Sequence, residues 1–182
     1  MFESIQMCEA MGITPVLTIK SDESYSDLAD LVEYLYAPPN GGSKWGSTRA
    51  QDGHPEPYNI SWFEIGNEID TPDFTGRALA MEAAAAKLGK GGLLRYACPN
   101  NCGADDIINA SFAGSPPLGD RVYVDIHDGA TNSLGAARSI VSKFAAAGSK
   151  ARVVVWETNT ARHDFSRVVA EGSGLNDLQR EG

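Results

Sequence analysis

The chain has 182 residues, 42% of them hydrophobic and 21% charged, a globular composition that fits one domain. Its formal net charge of −9 argues against nucleic acid or an anionic membrane surface as a partner. No apolar run is long enough to span a bilayer, and the N-terminus lacks the basic-then-apolar pattern of a signal peptide.

In residues 2–12, Ile5, Cys8 and Met11 fall at helical spacing and Gly12 fits a C-cap, so the chain opens inside a helix. Where a chain opens in mid-fold, the missing leader leaves the compartment open. Residues 13–19, ITPVLTI, read as a buried strand. Leu28, Leu31, Val32 and Leu35 mark one face of a helix that stops before Pro38-Pro39. Residues 38–59 read as a long polar loop carrying Trp45 and His54, and structureless loops of this length are functional or mobile.

The run ISWFEI, residues 60–65, reads as a second strand that stops at Gly66-Asn67-Glu68. An Ala-rich helix follows over 74–88, then a third strand over 93–98 and a short helix over 105–112. Residues 121–127, RVYVDIH, form a fourth strand ending in His127-Asp128-Gly129. Leu134, Ala137, Ile140, Val141 and Phe144 share a helical face, residues 151–157 form a fifth strand, and 164–180 a final helix.

One helix followed by five β–loop–α units implies a parallel sheet covered by helices. Two α/β architectures accommodate it, a doubly wound open sheet and an eight-fold (β/α)8 barrel. A barrel needs about 250 residues and eight strands, so residues 1–182 would form a single partial catalytic barrel domain. The helix without a preceding strand at one end, and the helix without a following strand at the other, favour a piece of a barrel.

The three cysteines are Cys8, Cys98 and Cys102; an odd count, with no second pair and no nearby His, speaks against a zinc site. The CPNNC spacing permits a Cys98–Cys102 disulfide without requiring it. No Gly-rich phosphate loop follows the first strand, and no nucleophile elbow is present.

Glu68, His127 and Glu157 all stand where a strand pattern runs out at its C-terminal side, the edge that carries the site in parallel α/β folds. Glycosidic bond cleavage needs two carboxyls, one protonated to assist the leaving oxygen and one ionised to attack the anomeric carbon or activate water. Repulsion between close carboxylates raises the pKa of one of them. Two glutamates at separate strand ends suit this chemistry if barrel closure brings them together.

Each residue also has a plainer reading. Glu68 alone reads first as a cap or dipole partner of a βα loop, and Asn67 as a turn residue. Glu157 could serve a surface ion pair, although VVVW before it makes solvation harder. His127 divides evenly between a structural and a functional role, and His163 reads as solvated. Trp62 and Trp156 read as core, which leaves Trp45, in the polar loop, as the candidate sugar platform.

The Asn67-Glu68 pair after WFEIG resembles the clan of retaining glycoside hydrolases built on (β/α)8 barrels, in which the acid/base follows an Asn at the end of strand four and the nucleophile ends strand seven. The run DLADLVEYLYAP, followed by KWGSTRAQDGHPEPYNISWFEIGNE, is similar to glycoside hydrolase family 51, the α-L-arabinofuranosidases. The likeness is good over residues 28–68 and looser beyond. It implies that the five strands are strands three to seven of a barrel. Glu68 would be the acid/base, Glu157 the nucleophile and Asn67 a ligand of the sugar 2-hydroxyl, with His127 lining the sugar subsite. It implies release of α-L-arabinofuranosyl residues from arabinose-containing glycans by double displacement, with no metal and no organic cofactor.

VWETNT around Glu157 departs from the usual surroundings of the family's nucleophile, which bears on sugar specificity more than on mechanism. Strands one, two and eight and the family's C-terminal β-sandwich have no counterpart. Two other readings stand beside this one: another retaining barrel glycosidase of endoglucanase or xylanase type, and a chain that is inactive or only binds carbohydrate. Five strands cannot close a barrel, so the isolated chain is expected to be inactive and to expose two unpaired strand edges. Oligomeric state is not legible.

Overall fold

The computed structural model describes residues 2–99, 102–128 and 130–157. The final helix over 164–180 and His163 lie outside the described residues. The elements run α1 (Phe2–Met11), β1 (Val16–Ile19), α2 (Tyr25–Tyr36), α3 (Lys44–Gln51), β2 (Trp62–Ile65) and α4 (Phe74–Lys87). They continue with β3 (Arg95–Cys98), α5 (Ala104–Phe112), β4 (Val122–Asp125), α6 (Ala130–Ala147) and β5 (Arg152–Val154). The five strands are all parallel and pair strictly in chain order.

This order separates the two architectures. A doubly wound sheet reverses direction at a switch point and places helices on both faces. With right-handed crossovers, an unreversed order puts every helix on one face. The helices pack accordingly as neighbours in one outer layer, α2 on α4, α4 on α5 and α5 on α6. The fold is a partial (β/α)8 barrel.

The register shows which residues face which way, because paired residues of parallel strands point to the same side. Leu17, Phe63, Tyr96 and Val122 form one row, and Ile19, Ile65, Cys98 and Val124 another. All eight are buried and face the helices. The row between them, Thr18, Glu64, Ala97, Tyr123 and Arg152, faces the concave side, where a closed barrel has its interior.

Periodicity explains α2: Leu28, Val32 and Leu35 are buried on one face, and the Ser24 hydroxyl caps the start by accepting from the Asp27 amide at 3.1 Å. It does not explain α3, which replaces part of the long loop expected over 38–59. KWGSTRAQ has no apolar stripe, and its buried positions are Gly46 and Arg49. Gly46 lets the helix lie against the chain, since a Cβ there would fall 2.6 Å from the Pro38 carbonyl oxygen.

Arg49 is wholly buried, and its guanidinium donates to the carbonyls of Tyr34 (2.6 Å), Ala37 (2.7 Å), Pro55 (2.9 Å) and His54 (3.0 Å). Tyr34 and Ala37 end α2, where carbonyls lack helical partners and the dipole is negative. One cation therefore ties the end of α2 to the segment leading into β2. Cys98 and Cys102 form a disulfide, with a Cα–Cα separation of 6.0 Å, so the spacing that left this open is resolved in favour of the bond.

Candidate active site

The strands end two to three residues short of Glu68, His127 and Glu157, so each side chain is delivered by the start of a βα loop. The first is set by Gly66. Its φ is +92°, its amide donates to the Ile19 carbonyl at 2.7 Å, and a Cβ would fall inside contact distance of Thr71 Oγ1. Thr71 Oγ1 in turn donates to the Ile65 carbonyl at 2.9 Å. The turn puts Glu68 itself at φ +53°, an unusual conformation for a side-chain-bearing residue and one that concentrates at functional sites. Gly66→Ala is expected to shift this turn and displace Glu68, visible as altered amide shifts over 66–71 in a chain that still folds.

The loops bring Glu68, His127 and Glu157 together. His127 Nδ1 stands 3.4 Å from Glu68 Oε1 and 3.9 Å from Glu157 Oε2, and all three atoms lie within 4.8 Å of one another. β2 and β5 are three strand positions apart. In a flat sheet those positions would be separated by about 14 Å at ordinary strand spacing. The convergence therefore comes from curvature, which turns the strand ends toward a common axis. Trp62 of β2 and Trp156 beyond β5 report the same curvature, with ring centroids 5.6 Å apart.

Two further acids belong to this site, and strand-end reasoning missed both. Glu64 and Asp125 lie within β2 and β4, and both are buried. Thr18 Oγ1 donates to Glu64 Oε2 at 2.7 Å, while Glu64 Oε1 is 3.5 Å from His127 Nε2. Asp125 Oδ2 pairs with His127 Nε2 at 3.0 Å, and Asp125 Oδ1 accepts from the Trp156 amide at 3.0 Å. The available signal was a charged residue inside an apolar run, in WFEI and again in VYVDI.

Glu68 and Glu157 are exposed, with side-chain accessibilities of 61% and 55%, whereas His127 is at 6%. Asn67 is exposed beside Glu68. Trp62, Tyr123 and Trp156 form an aromatic wall on the concave face, with Arg95 over the Trp62 ring, so Trp62 and Trp156 are not simply core. Trp45 is not brought to this cluster. It sits on α3 with the Lys44 ammonium 4.4 Å from its ring centroid, beside a groove shared with Phe2, Leu31 and Tyr34. The polar loop that suggested a sugar platform is a helix there, and Trp45 packs partly against the core.

A cleft of about 640 Å³ opens beside the site, lined by Asp70, Thr71, Asp73, Phe74, Asp106 and Asn109. It contains none of the clustered carboxylates, so the chemistry is placed by the carboxylates and the cleft is left as adjoining space. Glu64, Asp125 and His127 also offer three atoms within 4.8 Å of one another. Within this trio the His127 Nε2–Asp125 Oδ2 pair is at hydrogen-bond distance, and Glu64 Oε1 stands 3.5 Å from the same nitrogen.

Burial raises the Glu64 pKa, opposed by the Thr18 hydrogen bond and reinforced by Asp125. Burial works against a charged His127, but the Asp125 hydrogen bond and charge, with Glu64 and Glu68, outweigh it and raise its pKa. Both groups therefore hold protons more tightly in the folded state. The contribution of these two groups to stability is expected to be fullest at acid pH, to fall from near the ordinary carboxylate range as Glu64 ionises, and to fall again as pH rises through the His127 value above 6.5. Urea midpoints measured from pH 5 to 9 check the sign; a midpoint that rises across this range would contradict it.

Comparison with known proteins bears on the fold and on the segment leading to Glu68. Residues 1–84 match the sequence profile of the "Alpha-L-arabinofuranosidase 1 domain". An extracellular exo-α-L-arabinofuranosidase of Streptomyces chartreusis is 45% identical over 47 residues, which is 26% of this chain and 6% of that protein. Among solved structures, α-L-arabinofuranosidase from Thermotoga maritima, in its arabinose complex, superposes with a TM-score of 0.68 at 17% identity, covering 98% of this chain and 43% of that one. The family 51 arabinofuranosidase of Xanthomonas axonopodis pv. citri gives 0.59 at 13% identity, covering 90% and 41%. At these identities the structural likenesses speak to the fold. The chain spans less than half of each of these proteins.

Proposed function

We propose, from the convergence of sequence and structural likenesses on the family 51 α-L-arabinofuranosidase barrel, that this chain carries the catalytic pair of a retaining α-L-arabinofuranosidase. Hydrolase activity of that type, its substrate, its stereochemical course and the residue roles are all part of this proposal. The observation that carries it is the approach of Glu68 and Glu157, with carboxylate oxygens within 4.8 Å. Such an approach lets both carboxyls flank one bond; retention needs them about 5–5.5 Å apart and inversion about 6.5–9.5 Å, a choice that the configuration of the product decides.

In this reading Glu157 attacks the anomeric carbon and forms a glycosyl ester, while Glu68 gives its proton to the departing oxygen. Glu68, then ionised, takes a proton from water, which attacks the same carbon and frees Glu157. Asn67, exposed beside Glu68, would bond the sugar 2-hydroxyl, and the Trp62–Trp156 wall would offer apolar surface to a furanose ring. No described helix is long and apolar enough to cross a membrane.

The test is a panel of aryl glycosides offered to this segment carried in a complete barrel. Turnover of the α-L-arabinofuranoside, with first-formed product of retained configuration, is the expected result. Preference for a β-xyloside or β-glucoside would transfer the segment to another retaining specificity, and inverted product would reject the double displacement. The isolated chain is expected to show no turnover; Glu68-dependent turnover by it would reject the expectation that five strands are too few.

A further inference from the structure

We propose that Asp125 and Glu64 are positioning residues that hold His127 as an imidazolium aimed at both Glu68 and Glu157; as a statement about that reaction, this rests on the function proposed above.

Among the described residues, His127 is the group in contact range of all four clustered acids. Glu64 reaches it from β2, Glu68 from the loop after β2, Asp125 from β4 and Glu157 from beyond β5. The two ring nitrogens are divided between them, Nε2 to the buried pair and Nδ1 to the exposed pair. Asp125 has no exposed surface and its Oδ1 is already bonded to the Trp156 amide, so it is fixed in place as the acceptor for Nε2–H. Nδ1 then faces Glu68 and Glu157, and a proton on Nδ1 offers a donor to whichever of the two carries no proton of its own, which in the reaction above is Glu157 first and Glu68 after it has protonated the leaving oxygen.

The same accounting assigns the proton on Glu64. Its Oε1 is buried without a hydrogen bond, 3.5 Å from His127 Nε2, while its Oε2 accepts from Thr18. An ionised oxygen left so would be costly. A proton there makes Glu64 a donor toward Asp125, which lies close enough to influence it. The buried groups then balance, with neutral Glu64, anionic Asp125 and cationic His127. Three fixed charges in that space would leave a net negative interior with less to stabilise it.

The consequence for the reaction is a fixed proton donor on the seam between acid/base and nucleophile. Its charge draws both carboxyl groups toward one nitrogen, at 3.4 and 3.9 Å, without itself transferring the proton to the sugar. Loss of the imidazolium at high pH would release both.

The test uses the 182-residue chain and requires no catalysis. Nitrogen-15 NMR of the imidazoles resolves the His127 midpoint and tautomer, with His127→Gln giving the assignment. The expected wild-type result is a midpoint above that of an ordinary histidine and, after deprotonation, a neutral ring carrying its proton on Nε2. Asp125→Asn keeps an acceptor for Nε2–H but removes the charge, and is expected to lower the midpoint by about one pH unit with the tautomer unchanged. Glu64→Gln keeps a donor and an acceptor, is expected to move the midpoint little, and should fold as the wild type does. Glu64→Leu removes both and should lower the midpoint. A neutral ring protonated on Nδ1, or a midpoint unmoved by Asp125→Asn, would overturn the proposal. If Asp125→Asn does not fold, the wild-type tautomer and the Glu64 pair decide it. Failure of the glycosidase reading would leave these values as they are.

Discussion

In a complete barrel containing this segment, Glu157→Ala is expected to lower kcat/KM on an aryl α-L-arabinofuranoside on the order of 10⁴-fold or more, because no second nucleophile can form the glycosyl ester. Added azide separates the two glutamates. In Glu157→Ala the anion can occupy the vacated space and attack directly, giving a glycosyl azide of inverted configuration. In Glu68→Ala the ester still forms when the leaving group is a good one, and azide opens it with overall retention. Glu68→Ala should therefore lose about 10²–10⁴-fold on substrates with poor leaving groups and much less on activated aryl ones. If Glu157→Ala kept most of its activity, or if both variants gave azide of the same configuration, the assignment of roles would fail. The approach of the two carboxylates makes the pair plausible, and the azide products assign the roles within it.

The second large effect is on stability. Arg49→Met keeps an apolar chain of similar reach but leaves the carbonyls of Tyr34, Ala37, His54 and Pro55 without their shared donor. These are charge-assisted bonds in a buried site, and losing them should cost about 3–5 kcal/mol. For a chain of this size that corresponds to a fall in Tm of roughly 6–20 °C. Arg49→Lys is expected to recover only part of the loss, since one ammonium cannot match a planar fork. An unfolding free energy lowered by less than about 1 kcal/mol in Arg49→Met, measured by chemical denaturation, would show that water replaces the guanidinium at little cost. The effect reaches the site indirectly, because the segment Arg49 ties down leads into β2 and so to Glu68.

The α1 to β5 order was legible because each buried strand is a short apolar run and most helices show an apolar stripe. The residues WFEIG and VVVW mark where their strands stop, so Glu68 and Glu157 could be named before any coordinates. Helix α3 was not legible. Its stability depends on a buried glycine against a carbonyl and a buried arginine among four carbonyls, and neither contact leaves a periodic mark. Trp45 lies away from the cluster for the same reason, since the polar stretch that carries it is a helix and not an exposed loop. The sequence also gave no reason to set Glu64 and Asp125 beside His127, because nothing local requires three separated positions to face one axis.

By itself, then, the sequence determined the parallel βα alternation, the strand ends that carry Glu68, His127 and Glu157, and the likeness to family 51. These depend on local hydrophobic pattern and on a contiguous motif, which a linear chain displays directly. The tertiary structure alone decided that the sheet is curved and unreversed, and therefore that glutamates three strands apart have oxygens within 4.8 Å. It also decided that His127 is held between two buried and two exposed acids. Curvature is a cumulative property of strand twist and helix packing over the whole sheet, and the position of every group in the cluster follows from it.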